Sequence, residues 1–212
     1  MNAPVVVIGS GGHAKVLVDA LRLAGKTIIG LTDADPGRKG SLVLGYPVLG
    51  GDEALAAYGP DDILLVNGVG GARSMAARRA VYERLRARGF RFAPVVHPAA
   101  WVSGDATLAQ GAQVMAGAVI QPGARVEENA IVNTRASVDH DCRVGAHSQV
   151  APGAVLCGAV EVGPGSLVGA GATVRQNVRI GRGCVIGAGA AVTSDVADEQ
   201  TVWGVPARPV RL

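Results

Sequence analysis

An aliphatic residue recurs at every sixth position through the second half of the chain. All sixteen positions of the series are Val, Leu or Ile: Val102, Leu108, Val114, Ile120, Val126, Val132, Val138, Val144, Val150, Leu156, Val162, Val168, Val174, Ile180, Ile186 and Val192. A period of six fits neither the helical repeat of an α-helix nor the simple alternation of a strand. It is typical of a parallel β-helix, in which three hexads form one triangular coil and each residue stacks on the residue three hexads later.

The other hexad positions predict where each coil turns. The fourth position is often Gly, Asn or Asp, which tolerate a positive φ at low cost, and the fifth is usually small. Proline precedes a fourth-position glycine at Pro122, Pro152 and Pro164, as in type II turns. We therefore expect a corner at the fourth position of each hexad.

The first half has a different pattern, in which short apolar runs alternate with stretches of helical periodicity. The predicted strands are 5–8, 27–32, 63–66 and 92–96, and the predicted helices are 14–24 and 72–88. This alternation predicts a small open α/β sheet. The chain is thus expected to form two domains, an α/β domain over 1–98 and a β-helix over 99–212.

Composition narrows the class of protein. Aromatic residues make up only 3% of the chain although 49% is hydrophobic, which suits the narrow aliphatic core of stacked coils. Two of the three cysteines, Cys142 and Cys184, fall on the fifth hexad position, so we expect buried thiols in a reducing compartment. No apolar stretch approaches the ~20 residues of a membrane span, and Met1–Ser10 lacks the form of a signal peptide, so a cytoplasmic protein without membrane insertion is expected.

The net charge of +3 is mild, and much of the basic excess lies in one helical-looking run. Its arginines include Arg78, Arg79, Arg84, Arg86, Arg88 and Arg91. We interpret the run as a solvated helix face. No stacking aromatics accompany it, so nucleic-acid binding is not expected.

One hexad departs from the pattern in a way that suggests chemistry. His140 occupies the third position of its hexad, at the corner, where a small residue or proline is usual. Asp139 and Asp141 flank it. Either carboxylate could hold one imidazole nitrogen and leave the other as a base. Gly158 follows one coil later, so it should stack on His140, where its missing side chain leaves room for a ligand and its backbone N–H could face that ligand. Only His147 accompanies His140 in this half, without a third partner, so no metal site is expected.

A glycine-rich turn follows the first predicted strand, with the sequence Gly9-Ser10-Gly11-Gly12-His13-Ala14. Such a turn, leading into a helix N-terminus, can hold phosphates with backbone N–H groups. Asp33 ends the second predicted strand, near the place of the ribose-binding acid in dinucleotide enzymes. The domain is too short for two mononucleotide halves, so a single nucleotide with an attached group fits better than NAD. Asn67 ends the third strand on the same edge and is a candidate contact for such a ligand.

The hexads resemble the left-handed β-helix of the hexapeptide acyltransferases over roughly residues 99–209. That resemblance implies left-handed coils, although parallel crossovers are normally right-handed. Several strings further resemble the bacterial nucleotide-sugar N-acetyltransferases, a group that includes sialic-acid O-acetyltransferase-type proteins. They are Gly9-Ser10-Gly11-Gly12-His13-Ala14-Lys15-Val16, Thr32-Asp33, Asn133-Thr134, His140-Asp141-Cys142 and Gly204-Val205-Pro206-Ala207-Arg208.

This resemblance implies a homotrimer with active sites between neighbouring β-helices. It implies acetyl-CoA along the helix and a nucleotide-linked 4-amino-4,6-dideoxysugar on the N-terminal domain. The family's base falls on His140, its supporting acid on Asp141 and its CoA-contacting glycine on Gly158. Its substrate contacts fall on a set that spans both domains: Gly11, Gly12, His13, Asp33 and Asn133.

Two further positions are suggested with less definite roles. Members of the family often carry a second histidine shortly after the base, at the position where this chain has Gln149. That side chain can hydrogen-bond near the acetyl group but cannot share proton transfer. Arg208 suits the CoA phosphate, and capping of the last coil is an equally good interpretation.

The leading hypothesis is an acetyl-CoA-dependent N-acetyltransferase that acts on a UDP- or GDP-linked 4-amino sugar in surface-glycan or glycoprotein assembly. Alternatives are an O-acetyltransferase of the sialic-acid type, a non-catalytic trimeric scaffold that senses nucleotide sugars, and an NAD-dependent oxidoreductase. The sequence does not distinguish uracil from guanine.

Overall fold

A three-stranded parallel sheet forms the centre of the N-terminal part in the computed structural model, which describes residues 3–71 and 74–210. The elements are β1 (Val5–Ile8), α1 (Gly12–Leu23), β2 (Ile28–Thr32), β3 (Leu42–Val43), β4 (Tyr46–Pro47), β5 (Leu64–Asn67) and α2 (Ala76–Ala87). The strand order is β2-β1-β5, so β1 lies in the middle. Every residue of β1 is buried, as expected for a central parallel strand.

All the predicted elements of this part except one are confirmed, with small shifts of their bounds. The expected strand 92–96 does not join the sheet as a unit. Phe92 forms a single parallel bridge to Leu65, whereas the next strand, Val95–Val96, pairs with Gln113–Val114 in the β-helix. The helix predicted over 72–88 is observed as α2, and Ala72 and Arg73 lie outside the described residues. The β3–β4 hairpin has no counterpart among the predicted elements.

The second half is a parallel β-helix of the left-handed, hexapeptide class with three faces. Face 1 contains the strands Trp101–Val102, Val119–Ile120, Ser137–Val138, Val155–Leu156, Thr173–Val174 and Ala191–Val192. Face 2 contains Thr107–Leu108, Arg125–Val126, Arg143–Val144, Glu161–Val162 and Arg179–Ile180. Face 3 contains Val95–Val96, Gln113–Val114, Ile131–Val132, Gln149–Val150, Leu167–Val168, Val185–Ile186, Thr201–Trp203 and Arg208–Pro209.

The predicted stacking interval of three hexads is confirmed, because Ser137 pairs with Val119 above it and with Val155 below it. In the strands from Trp101–Val102 to Ala191–Val192, the second residue points inward, and these residues form one aliphatic core with the small fifth-position residues. The thiols of Cys142 and Cys184 are free and buried in that core, as expected. The last coil is shorter than the others, because Val185 pairs with Thr201.

Positive φ values mark the corners at the predicted fourth hexad position. The first corner, between faces 1 and 2, has them at Gly123, Asp141, Ala159 and Asn177. The second corner, between faces 2 and 3, has them at Gly111, Asn129, His147, Gly165 and Gly183. The third corner, between faces 3 and 1, has them at Gly117, Arg135, Gly153, Gly171 and Gly189.

The N-terminal part packs on the second corner and on face 3. The Nε of Arg78 donates to the Asn129 carbonyl, and the Tyr82 hydroxyl donates to Glu128. His147 is buried here as well, with its ring edge-on to Tyr82. Within residues 3–71 and 74–210, nothing from the N-terminal part packs on the first corner or on face 1. None of the helices in the described part of the chain is long and apolar enough to cross a membrane.

Candidate active site

The first corner carries a histidine oriented by a neighbouring carboxylate. The Nδ1 of His140 lies 2.9 Å from Oδ2 of Asp141, and the side chain of His140 is 61% exposed. The carboxylate of Asp139 makes a different contact, because its Oδ1 accepts from the backbone N–H of His140 at 2.8 Å. The sequence left open which acid orients the ring, and the geometry assigns that contact to Asp141. The other ring nitrogen, Nε2, is the one available to a substrate.

Gly158 lies directly below the imidazole. A Cβ at this position would come within 2.6 Å of both Cε1 and Nε2 of His140. The absent side chain therefore makes room for the ring itself. Among the described residues no acceptor receives the backbone N–H of Gly158, although its carbonyl accepts from Asn177. A free N–H beside a potential base is an arrangement that can stabilise an oxyanion.

The environment of His140 strengthens it as a base. The hydrogen bond to Asp141 is the largest influence that raises the pKa of His140, and the negative charge of Asp139 adds to it. Both carboxylates stabilise the imidazolium. Activity that needs the neutral ring should then rise with pH through a pKa above the ordinary value for histidine.

We expect Asp141→Asn to move the acid limb of the kcat/KM profile to lower pH. The substitution removes the group that contributes most to the raised pKa, so the ring loses its proton at a lower pH. The plateau should also fall, since the neutral amide holds the ring less firmly. Asp139→Asn serves as the comparison and should shift the limb less. An unchanged or upward-shifted limb in Asp141→Asn would contradict this assignment.

A second candidate site lies at the carboxyl edge of the N-terminal sheet, in a cavity of about 500 Å³. Its wall includes Gly11, Gly12 and His13 at the start of α1, together with Asp33 after β2. Nothing lies within 4 Å of the positions where Gly11 and Gly12 would carry a Cβ, so the turn is open to a ligand. The backbone N–H groups of the first helical turn can bind a phosphate there.

Asp33 supports this turn from the neighbouring strand. Its Oδ2 accepts from the backbone N–H of Ser10 at 3.0 Å and from the Ser10 hydroxyl. Its partial burial acts to raise the pKa, but the hydrogen bonds from Ser10 and Asp35 and the charge of Arg38 outweigh this effect and hold the pKa of Asp33 below its ordinary value. The carboxylate is therefore ionised in the cavity wall and retains lone pairs for a ligand hydroxyl.

Asn67 lies beneath the cavity. Its Nδ2 donates to the Arg78 carbonyl and to Asn129 Oδ1, and its Oδ1 accepts from the backbone N–H of Val69. The side chain is 1% exposed. Both amide hydrogens and one lone pair of the oxygen are thus engaged within the protein, and Asn67 holds the 68–71 loop from below.

Arg78 departs most from its predicted setting. The run to which it belongs is predicted to form a solvated helix face, but Arg78 is fully buried, and burial lowers its pKa to about 9. Its Nη1 donates to the carbonyls of Asn67 and Val69. An arginine that faces the apolar stripe of α2, with Tyr82 and Leu85, is the signal that could have revealed this burial. The other arginines of the run, from Arg79 to Arg91, are exposed as expected.

The remaining predicted residues lie away from His140 within one chain. Asn133 is next to the third corner, where its Oδ1 accepts from the backbone N–H of Thr134. Gln149 is on face 3 and is 7% exposed. Arg208 is exposed in the terminal hairpin of face 3, opposite Trp203. A single chain thus places the candidate base at the first corner, whereas these side chains lie on or beside face 3, against which the N-terminal part packs.

Two family models match the chain. The model of the PglD N-terminal domain matches residues 4–85, and that of the bacterial transferase hexapeptide (six repeats) matches residues 159–194. In the described residues no cluster of three or more His, Cys, Asp or Glu side chains could hold a metal ion. Comparison with curated proteins found no match.

Solved structures match over the whole length. The acetyltransferase domain of PglB from Neisseria gonorrhoeae, also solved with acetyl coenzyme A, is 38% identical with a TM-score of 0.91, covering 99% of this chain and 100% of that one. PerB from Caulobacter crescentus, solved with CoA and GDP-perosamine, is 38% identical with a TM-score of 0.91, covering 100% of this chain and 99% of that one. A GDP-perosamine N-acetyltransferase variant from the same organism, with one histidine replaced by alanine, is also solved with both ligands.

Proposed function

The chain belongs to the hexapeptide-repeat sugar N-acetyltransferases with a PglD-type N-terminal domain, and on this premise we propose that it acetylates the 4-amino group of a nucleotide-linked 4-amino-4,6-dideoxysugar. Acetyl-CoA is the donor. The observation that carries the proposal is the imidazole of His140, held by Asp141 above the side-chain-free position of Gly158.

In the proposed reaction, Nε2 of His140 removes a proton from the sugar amine as the nitrogen attacks the thioester carbon. The Gly158 N–H donates a hydrogen bond to the resulting oxyanion. Collapse of the tetrahedral intermediate restores the carbonyl and breaks the carbon–sulfur bond, and the leaving sulfur takes the proton from the imidazolium of His140, which releases CoA as a thiol. A positioned base contributes roughly 10²–10⁴ in rate, and one oxyanion donor about 3 kcal/mol.

We assign binding of the nucleotide sugar to 1–98 and of acetyl-CoA to 99–212. The N-terminus of α1, at Gly11 and Gly12, offers backbone N–H groups to a diphosphate, and the ionised Asp33 offers an acceptor to a ribose hydroxyl. Arg208 is assigned to the CoA phosphate. The free, buried Cys142 and Cys184 thiols fit a reducing compartment, and we place the enzyme in the cytoplasm, in surface-glycan or glycoprotein assembly.

The separation of the two sites within one chain supports a homotrimer. Face 1 adjoins the corner of His140, and its outward residues are apolar or small: Trp101, Val119, Ser137, Val155, Thr173 and Ala191. Face 2 exposes a charged row instead, including Arg125, Arg143, Glu161 and Arg179. An apolar face next to the base is suited to a second copy, which would bring its own nucleotide cavity, Asn133 and Gln149 towards His140.

We expect Val119→Arg to break the trimer and abolish most of the activity. An arginine in the middle of an apolar interface is desolvated without a partner, which costs several kcal/mol. Light scattering should show the mass fall towards one chain, and turnover should fall with it. Thr107→Arg, on the charged face 2, is the matched control and should change neither. A trimeric, active Val119→Arg would reject face 1 as the interface.

The substrate class is tested by turnover. Release of CoA should be fast with a UDP- or GDP-linked 4-amino sugar and negligible with free sialic acid. The reverse preference would favour the O-acetyltransferase alternative. A thermal-shift screen of UDP- and GDP-sugars, with and without CoA, identifies the base, since a ligand at 100 times its Kd stabilises by about 2.7 kcal/mol.

A further inference from the structure

A glutamine of the β-helix contacts a histidine in the wall of the nucleotide cavity. Gln113 lies on face 3 and is fully buried. Its Oε1 is 2.7 Å from Nε2 of His13, and its Nε2 is 2.8 Å from the backbone carbonyl oxygen of Asn67. His13 itself lines the cavity at the start of α1.

The direction of these hydrogen bonds follows from donor and acceptor chemistry. A backbone carbonyl can only accept, so the NH₂ group of Gln113 must face Asn67. The amide oxygen of Gln113 then faces His13 and needs a donor. Nε2 of His13 must therefore carry the proton, which selects one of the two tautomers of the neutral ring.

The surroundings also keep the His13 ring neutral. Burial is the largest cause and the positive charge of Arg78 adds to it, so that the pKa of His13 is lowered to about 4. In a neutral ring protonated at Nε2, Nδ1 holds a lone pair. No donor within the described residues reaches Nδ1, and this atom is not enclosed by protein.

We propose that Gln113 is a positioning residue, which fixes His13 in the Nε2–H tautomer so that Nδ1 accepts a hydrogen bond from an N–H or hydroxyl of the bound nucleoside. A phosphate oxygen cannot fill this role, because it carries no proton at neutral pH. The proposal assigns His13 to the nucleoside, whose base and ribose carry such donors, and not to the diphosphate. This inference rests on the proposed function, since it takes the cavity to hold a nucleotide.

The test compares the parent protein with Gln113→Met, which keeps the side-chain length and removes both hydrogen bonds. Calorimetry identifies which of UDP and GDP the parent binds. The Kd of Gln113→Met for that nucleotide should be roughly three- to tenfold higher, which corresponds to the loss of one hydrogen bond. Binding of inorganic pyrophosphate and the KM for acetyl-CoA should not change. Gln110 is a nearby glutamine that does not contact His13, so Gln110→Met is the matched control and should bind nucleotides like the parent.

A spectroscopic readout separates positioning from a merely structural role. In the ¹⁵N-histidine-labelled protein, which has four histidines, His13 should show a protonated Nε2 and an unprotonated Nδ1, with loss of this pure tautomer in Gln113→Met. A protonated Nδ1 in the parent, or equal loss of nucleoside diphosphate and pyrophosphate binding, would overturn the inference. If Gln113→Met binds nucleoside diphosphates as tightly as the parent, the role of Gln113 is overturned and the proposed function stands. If the parent binds neither UDP nor GDP, the proposed function is overturned as well.

Discussion

His140→Ala should lower kcat by roughly 10²–10⁴, the contribution of a positioned general base. The imidazole is held by Asp141 and is otherwise exposed, so its removal takes away proton transfer without disturbing a packed core. The KM for acetyl-CoA and the melting temperature should stay close to those of the parent. Steady-state release of CoA, measured with the preferred nucleotide sugar, gives both kinetic constants.

His140→Asn is the matched comparison. Asparagine retains a polar side chain that can still contact Asp141, but it cannot take a proton at neutral pH. If His140 acts as the base, the alanine and asparagine variants should lose comparable activity. An asparagine variant with near-parental kcat would show that the side chain only fills space or orients the substrate.

The repeat made most of the fold predictable, because each hexad repeats the same local constraints. An inward aliphatic residue, a small neighbour and a corner residue of positive φ recur together, so the sequence period directly sets the stacking interval. The exceptions are corners that hold Arg135, His147 and Ala159 at positive φ. The intrinsic backbone preferences of these residues do not predict a positive φ, and the stacked coils above and below impose it.

The junction between the two parts was the least predictable region. Val95–Val96 continues an apolar run that reads as one more strand of the α/β sheet, yet its pairing partner is the first coil. Likewise, the hydrogen bonds that Asn67 and Arg78 make to Asn129 join residues far apart along the chain, for which the sequence contains no local signal. Tertiary packing determines both outcomes.

The candidate site was predictable to the extent that it depends on the repeat. The interval of three hexads correctly stacked Gly158 on His140, because both lie on the same corner. The interval does not reveal what occupies the space at Gly158, since that depends on the rotamer of the histidine. The structure shows the ring itself there, and this changes the expected effect of a substitution.

Gly158→Ala should lower kcat by roughly 10² or more while leaving the protein folded. The new Cβ would meet Cε1 and Nε2 of His140 at 2.6 Å, a distance that the ring can relieve only by rotating away. The backbone of Gly158 does not adopt a positive φ, so alanine is not strained there. The imidazole is exposed and free to move, and we expect a loss of stability within about 1 kcal/mol.

Gly104→Ala is the matched control, because Gly104 occupies the equivalent hexad position at the same corner, two coils above His140. Nothing lies within 4 Å of the Cβ that it would gain, and its activity should equal that of the parent. In Gly158→Ala, the displaced ring should also lose Asp141, so its pKa, followed by NMR titration, should fall towards the ordinary value of histidine. A variant with normal kcat and an unshifted His140 titration would mean that the base does not depend on the space left by Gly158.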